Sequence, residues 1–234
     1  MGLHRNPDDV PQQFDDSVHG HGPQPLRGWV DGEVAERLPD LELLCVDAPV
    51  AVTSRSPEWA KERLRYLSSR VRGQDVLQMH GAEAASAYRQ LYRDVGRDPD
   101  RDPPPMEAAY VERLARGGFP QVGIPSDALM IVLLETGIPI WAVDAELIDG
   151  PLGIRRGRPG ETPMPAGADQ GPAGGPLVVA DNHGVVADLG REPRALRAID
   201  RRTTHALFFS VKPAGVSELR VREAFWMCMA LVAP

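Results

Sequence analysis

With 234 residues and 42% apolar content, the chain can bury a substantial core as one large domain or two small ones, and no run of 18 or more apolar residues offers a membrane-spanning helix. The formal charge of −7 divides into a net of −10 over residues 1–149 and +3 over residues 150–234, which argues against tight, non-specific RNA binding and puts any nucleic-acid contact in the second half. Only two cysteines occur, both among apolar neighbours, so neither a disulfide framework nor a metal centre is expected, and no cofactor is implied.

Residues 1–30 are rich in Gly, Pro, Asp and His, lack a hydrophobic signal core, and read as a flexible tail before a single domain over 31–234 of a soluble, cytoplasmic protein. His19 and His21 have no partnering Cys and are not read as a metal site. Leu41 to Val46 reads as a buried strand. Ser56-Pro57-Glu58 opens a helix with Ala60, Leu64, Leu67 and Val71 on one stripe, and a second helix presents Ala84, Tyr88, Leu91 and Val95 before Gly96. The proline-rich run 97–105 reads as a stiff polyproline-like spacer before a helix at 106–116. Ser126 reads as the cap of a helix whose core, Ala128 to Leu134, is apolar all round and so is buried on every side. Strands are expected at 138–144 and 152–155, then a loop over 157–176 in which 11 of 20 residues are Gly or Pro, of the kind used as a functional lid. Leu177–Ala180 and Val185–Ala187 flank a turn at 181–184, a last strand covers 206–211, and Ser217 caps a closing helix with Val221, Ala224, Phe225, Cys228 and Leu231 inward. Helices early and strands late give an α+β class.

Between Met106 and Glu161 the chain runs Met106-Glu107-Ala108-Ala109-Tyr110, Gly117-Gly118-Phe119-Pro120, Ser126-Asp127-Ala128-Leu129, Glu135-Thr136-Gly137-Ile138-Pro139, Asp144, Gly150-Pro151-Leu152-Gly153-Ile154-Arg155 and Gly160-Glu161. This order resembles the editing module, formed by the third and fourth domains, of the phenylalanyl-tRNA synthetase beta subunit, and more closely the module's free-standing relatives. The resemblance runs through Ala180-Asp181, Asn182-His183-Gly184 and Thr203-Thr204-His205, covering roughly residues 80–212. It implies a three-layer β/β/α sandwich, a pocket for an amino-acid-like ligand, and the tRNA acceptor end as partner. Where the family usually carries small polar residues on the central helix, this chain has Met130 and Leu133, which implies a more apolar pocket. Without the synthetase's catalytic core, aminoacylation is not expected.

No motif with a strong mechanism of its own is present, neither GxxxxGK[ST] nor GxSxG nor HExxH. In Gly150 to Glu161, glycines permit close backbone approach, and Arg155 and Glu161 could hold the charged ends of an amino acid ester; a hairpin followed by a solvated basic turn is the other reading. His205, beside Thr203 and Thr204, is the first candidate for positioning or deprotonating water, with Asp181 orienting it, while a locally hydrogen-bonded strand-end histidine remains open. His183 reads as a solvated turn residue. Asp127 and Asp144 match family positions and join the substrate-binding candidates, Asp127 also suiting the dipole of its helix. Arg194, Arg197, Arg201 and Arg202, with Arg191, could contact phosphates or simply be a solvated surface. Two functions follow: an editing hydrolase acting in trans on misacylated tRNA, or a non-catalytic module binding an amino acid or related metabolite without RNA.

Overall fold

A computed structural model describes residues 24–71, 82–161 and 175–233; His19, His21 and the middle of the 157–176 loop lie outside the described residues. Along the chain come β1 (Leu26–Arg27), β2 (Trp29–Val30), α1 (Gly32–Arg37), β3 (Glu42–Pro49), α2 (Glu58–Arg70), α3 (Glu83–Asp94), α4 (Pro105–Arg116), α5 (Ser126–Thr136), β4 (Trp141–Asp144), β5 (Gly153–Arg156), β6 (Leu177–Ala180), β7 (Val185–Asp188), β8 (His205–Lys212) and α6 (Glu218–Val232). The fold is α+β, with two four-stranded sheets and a helical layer. One sheet has the order β1-β3-β8-β4, antiparallel throughout; the other is β2-β5-β6-β7, with β2 parallel to β5.

The β3–β8 sheet is the middle layer. Leu43, Leu44, Cys45 and Val46 are consecutive and all buried, so both faces of β3 are covered. Helices α5 and α6 lie against one side, while Ile154, Leu177, Val179 and Val186 of the second sheet join the same core from the other. The chain crosses between sheets at Gly28, whose N–H donates to the Leu43 carbonyl (2.8 Å). A Cβ there would sit 2.5 Å from the Leu152 oxygen. Residues 26–30, assigned to the tail on composition, thus add a short edge strand to each sheet.

α5 is apolar all round because it has neighbours on two sides. Ala128 and Val132 face the sheet core, whereas Ile131, Leu133 and Leu134 join Leu64, Ala109 and Phe119 in a second cluster with α2 and α4. Each of these larger side chains contributes about 1.5–3 kcal/mol by leaving water. Buried Arg89 of α3 donates to Glu107 of α4 (2.7 Å) and to Asp100, holding those helices together.

Three local expectations are corrected. Neither Ser56 nor Ser126 caps a helix: the cap positions belong to Pro57 and Pro125, without a side-chain bond, and Ser126 is already helical. The 97–105 run is not an extended spacer, since the Arg101 and Asp102 amides donate to the Asp98 carbonyl and close a turn, leaving only Pro103 and Pro104 extended ahead of α4. Ser217 does cap α6, accepting from the Arg220 amide at 3.3 Å. Among the described residues no helix is long and apolar enough to cross a membrane.

Candidate functional site

A cleft of about 780 Å³ opens at the N-terminal end of α5, between α4, β4, the 120–125 loop and the segment 190–199. Its volume lies within the range of sites that take whole small molecules. The 120–125 loop is fixed against residues 53–55: the Ile124 amide donates to Thr53 Oγ1 (2.9 Å), and the Thr53 amide donates to the Ile124 carbonyl (3.1 Å). Gly123, at φ 113°, passes so close that a Cβ would stand 2.1 Å from the Thr53 oxygen.

That loop delivers Asp127 to the cleft wall. Its side chain accepts the Val122 amide at Oδ1 (2.8 Å), and its residue is only 1% exposed. Oδ2 is buried and has no hydrogen-bond partner among the described residues. A buried carboxylate oxygen left in this state costs several times what a satisfied one does, though the amide dipoles of α5 offset part of the charge.

The rest of the lining is mostly apolar. Leu129, Met130 and Leu133 come from α5, Ile140 and Trp141 from the approach to and start of β4, and Ile199 from the far wall. Met130 and Leu133 are the positions where the resembling family usually carries small polar side chains, and both line the cleft. Three charged residues besides Asp127 line the cleft, and they are not alike. Arg191, the one cation among the described lining residues, pairs with Asp102; Glu112 pairs with Arg116 (3.1 Å); Glu192 is exposed.

The other sequence candidates fall into separate groups outside this lining. Arg155 forks onto Glu161 through two hydrogen bonds (2.7 and 2.9 Å), and the Arg158 amide adds a third to the same carboxylate (2.7 Å). The Arg155 guanidinium and the Arg158 amide hold the Glu161 carboxyl down at about 2. Both charges are therefore spent on each other. Asp181 is likewise engaged: it accepts the amides of His183 (2.8 Å), Gly184 (2.9 Å) and Asp149 (3.1 Å), and pairs with Arg197 (3.1 Å), which shapes the turn between β6 and β7. Gly150 is required beside that turn, because at φ 73° a Cβ would meet Asn182 Nδ2 at 2.4 Å.

Asp144 accepts the Thr203 hydroxyl (2.6 Å) and the Glu146 amide (2.9 Å) just beyond the cleft-lining Ala142. Strand alternation puts Asp144 and its cross-strand neighbour Ala206 on one face and His205 on the other. His205 is exposed, with only the Thr204 hydroxyl beside its Nδ1 (3.4 Å). His183 pairs with Asp149 (2.9 Å). Arg194 donates to the Glu161 carbonyl (2.5 Å) and Arg197 to the Leu147 carbonyl, so both serve the fold, whereas Arg201 and Arg202 are exposed without an ionic partner among the described residues, two and three residues beyond the cleft-lining Ile199. Cys45 and Cys228 are buried with thiols pushed up to about 12, too weakly ionised to serve as nucleophiles.

Of the sequence candidates, Asp127 and Arg191 line the cleft. Met130 and Leu133 were expected to make the pocket apolar, whereas Glu112, Glu192 and Ile199 were not singled out, because their convergence depends on how the 190–199 segment folds back over α5; Gly190 and Pro193 were the visible signs of a turn there.

The class is that of an α+β sandwich, two sheets packed with helices, with a cleft at the N-terminus of a buried helix. No family model matches the chain. Over 50 residues the chain is 46% identical to the phenylalanine–tRNA ligase beta subunit of Xanthomonas axonopodis pv. citri (strain 306) and 44% identical to that of Xanthomonas campestris pv. campestris (strain 8004). The matched stretch is 21% of this chain and 6% of each ligase subunit, so the chain spans a small part of the length of these relatives. The chain is thus related to that beta subunit over a local segment.

Proposed function

We propose that the chain acts on aminoacyl-tRNA in trans, taking the aminoacylated 3′ end into the α5 cleft and hydrolysing a wrongly attached amino acid. The observation that carries this reading is the buried, unpartnered Oδ2 of Asp127 in a mostly apolar cleft large enough for a whole small ligand. An α-ammonium would satisfy that oxygen with a charge-assisted hydrogen bond. The relation to a tRNA ligase subunit supports an RNA-linked substrate. Exposed Arg201 and Arg202, next to the cleft wall at Ile199, offer phosphate contacts near its mouth.

The chemistry asks little of the protein. An aminoacyl ester is already activated, so fixing the ester and a water in one orientation and excluding alternatives supplies much of the acceleration without a covalent nucleophile. Asp127 anchors the amino group, and the apolar wall holds the side chain. Arg155, Glu161, Asp181, Arg194 and Arg197 act by building the second sheet and its turns. His205 and Thr204, exposed at the start of β8, stand where they would meet RNA rather than the ester.

A second reading, a binding module for a small amine without RNA, is favoured by one observation: none of the histidine candidates lines the cleft. Deacylation of a panel of correctly and incorrectly charged tRNAs separates the two. Wild-type protein is expected to release one mischarged amino acid faster than the spontaneous rate, Asp127→Asn to lose at least tenfold of that rate, and His205→Ala to retain the maximal rate with weaker tRNA affinity. Absence of deacylation above the spontaneous rate across the panel would leave the binding module as the account.

A further inference from the structure

We infer that the outer face of α2 is a docking surface for single-stranded RNA, on which unpaired bases stack while arginines take the phosphates. The face lies in the acidic half of the chain and outside residues 80–212, over which the family resemblance runs. It needs no aminoacyl group, so it stands apart from the reading of the cleft.

A repeat in the sequence builds the face. Trp59, Arg63, Tyr66 and Arg70 follow at spacings of 4, 3 and 4, which aligns them along one side of the helix, beside the buried Ala60 and Leu64 that pack with residues of α5. All four are exposed, Trp59 at 42% and Tyr66 at 49%. The two rings are roughly 10 Å apart along the axis, about the length of three stacked bases. The Arg63 guanidinium lies 5.4 Å and that of Arg70 5.6 Å from the centre of the Tyr66 ring, and Arg70 also donates to the Tyr66 hydroxyl at 2.8 Å. These contacts hold planar groups in place before a ligand arrives, so less side-chain freedom is lost on binding.

Charge selects the partner. From Arg55 to Arg70 the chain carries five cations against Glu58 and Glu62, a net of +3 in a protein of −7. Lys61 and Arg65 share Glu58, and Arg63 pairs with Glu135, whereas Arg55 and Arg70 have no ionic partner among the described residues. Solvent-exposed ion pairs hold weakly, so a phosphate can displace the Glu58 carboxylate from its cations. Arg113 of α4 reaches the same helix, donating to Ser68 at 3.0 Å. An acidic peptide would use these cations and leave both rings idle; a single strand uses both, since its bases stack on aromatic and guanidinium planes and its phosphates meet the charge. The surface also starts beside the cleft, for Thr53 lines that cleft and Arg55 and Trp59 follow two and six residues on.

Fluorescence anisotropy of the full chain with a labelled oligoadenylate tests the surface. Wild-type protein is expected to bind the single strand at least tenfold more tightly than an RNA duplex of equal length. Trp59→Ala and Tyr66→Ala should each weaken binding at least fivefold at an unchanged melting temperature, and Trp59→Phe should bind like wild type because it keeps a ring. Arg55→Ala and Arg70→Ala should each flatten the dependence of log affinity on log salt by roughly 0.7. No binding, equal binding of duplex and single strand, or full affinity in Trp59→Ala would overturn the inference, and tighter binding of an oligoglutamate would assign the face to an acidic protein instead. Because the probe bears no amino acid, the two readings fail separately: absence of tRNA deacylation leaves this surface standing, and absence of oligoadenylate binding leaves the cleft reading standing.

Discussion

Two carboxylates with similar surroundings in the sequence have opposite situations in the fold. Asp127 keeps one buried oxygen free, while Glu161 has both oxygens taken up by Arg155 and the Arg158 amide. Arg155 and Glu161 are six residues apart, and nothing in their spacing distinguishes a pair that grips a ligand from a pair that grips itself; only the turn after β5 decides it. The pairing has a pH signature. The Glu161 carboxyl is held at about 2, against an ordinary value of 4.5, so its contribution is fully present above about pH 5 and is lost as the pH falls towards 2. In urea denaturation, Glu161→Gln should therefore be less stable than wild type by about 1 kcal/mol at pH 7, the size of a partly exposed charge-assisted interaction, with the difference vanishing near pH 2. A difference that stays constant down to pH 2 would mean that the pair does not form.

The two short strands β1 and β2 connect the sheets, and they do so through small residues. Trp29 lies across Gly153 of the neighbouring strand, where an added Cβ would come within 2.0 Å of the indole, and Trp29 Nε1 donates to the Pro151 carbonyl at 3.0 Å. Gly153→Ala should displace β2 from β5 at a cost of about 1–3 kcal/mol, as overpacking does, with a red shift in tryptophan emission. An unchanged melting curve would contradict that contact. The longer elements were legible because their apolar spacing is set by burial: the stripe Ala60, Leu64 of α2, the strand run Leu43 to Val46, and the all-round apolar core of α5. Residues 26–30 were not, since two-residue strands carry no period and their pairing is fixed by the sheets they join. The caps at 56 and 126 were misjudged because Pro57 and Pro125 take the boundary that a serine ordinarily marks. At the site, Asp127 was visible from the resemblance, but its open oxygen was not: that depends on the Val122 amide satisfying one oxygen and leaving the other.

At the scale of the whole molecule, the net charge of −7 repels a polyanion, and three of the five arginines considered for RNA contact, Arg191, Arg194 and Arg197, are bound into the fold. Of the five, what is left for phosphate is the exposed pair Arg201 and Arg202, enough for positioning and too little for strong non-specific binding. On this account affinity comes from the aminoacyl group entering the cleft, with RNA contacts orienting it. The most direct test is methyl NMR of the protein titrated with an RNA hairpin bearing a non-hydrolysable, amide-linked aminoacyl 3′ end. The Met130, Leu129 and Leu133 methyl signals should move, those of Met227 on α6 should not, and the uncharged hairpin should leave all four in place. Shifts confined to the surroundings of Arg155, Glu161 and His205, with Met130 unmoved, would place the aminoacyl end elsewhere and contradict the assignment of the cleft.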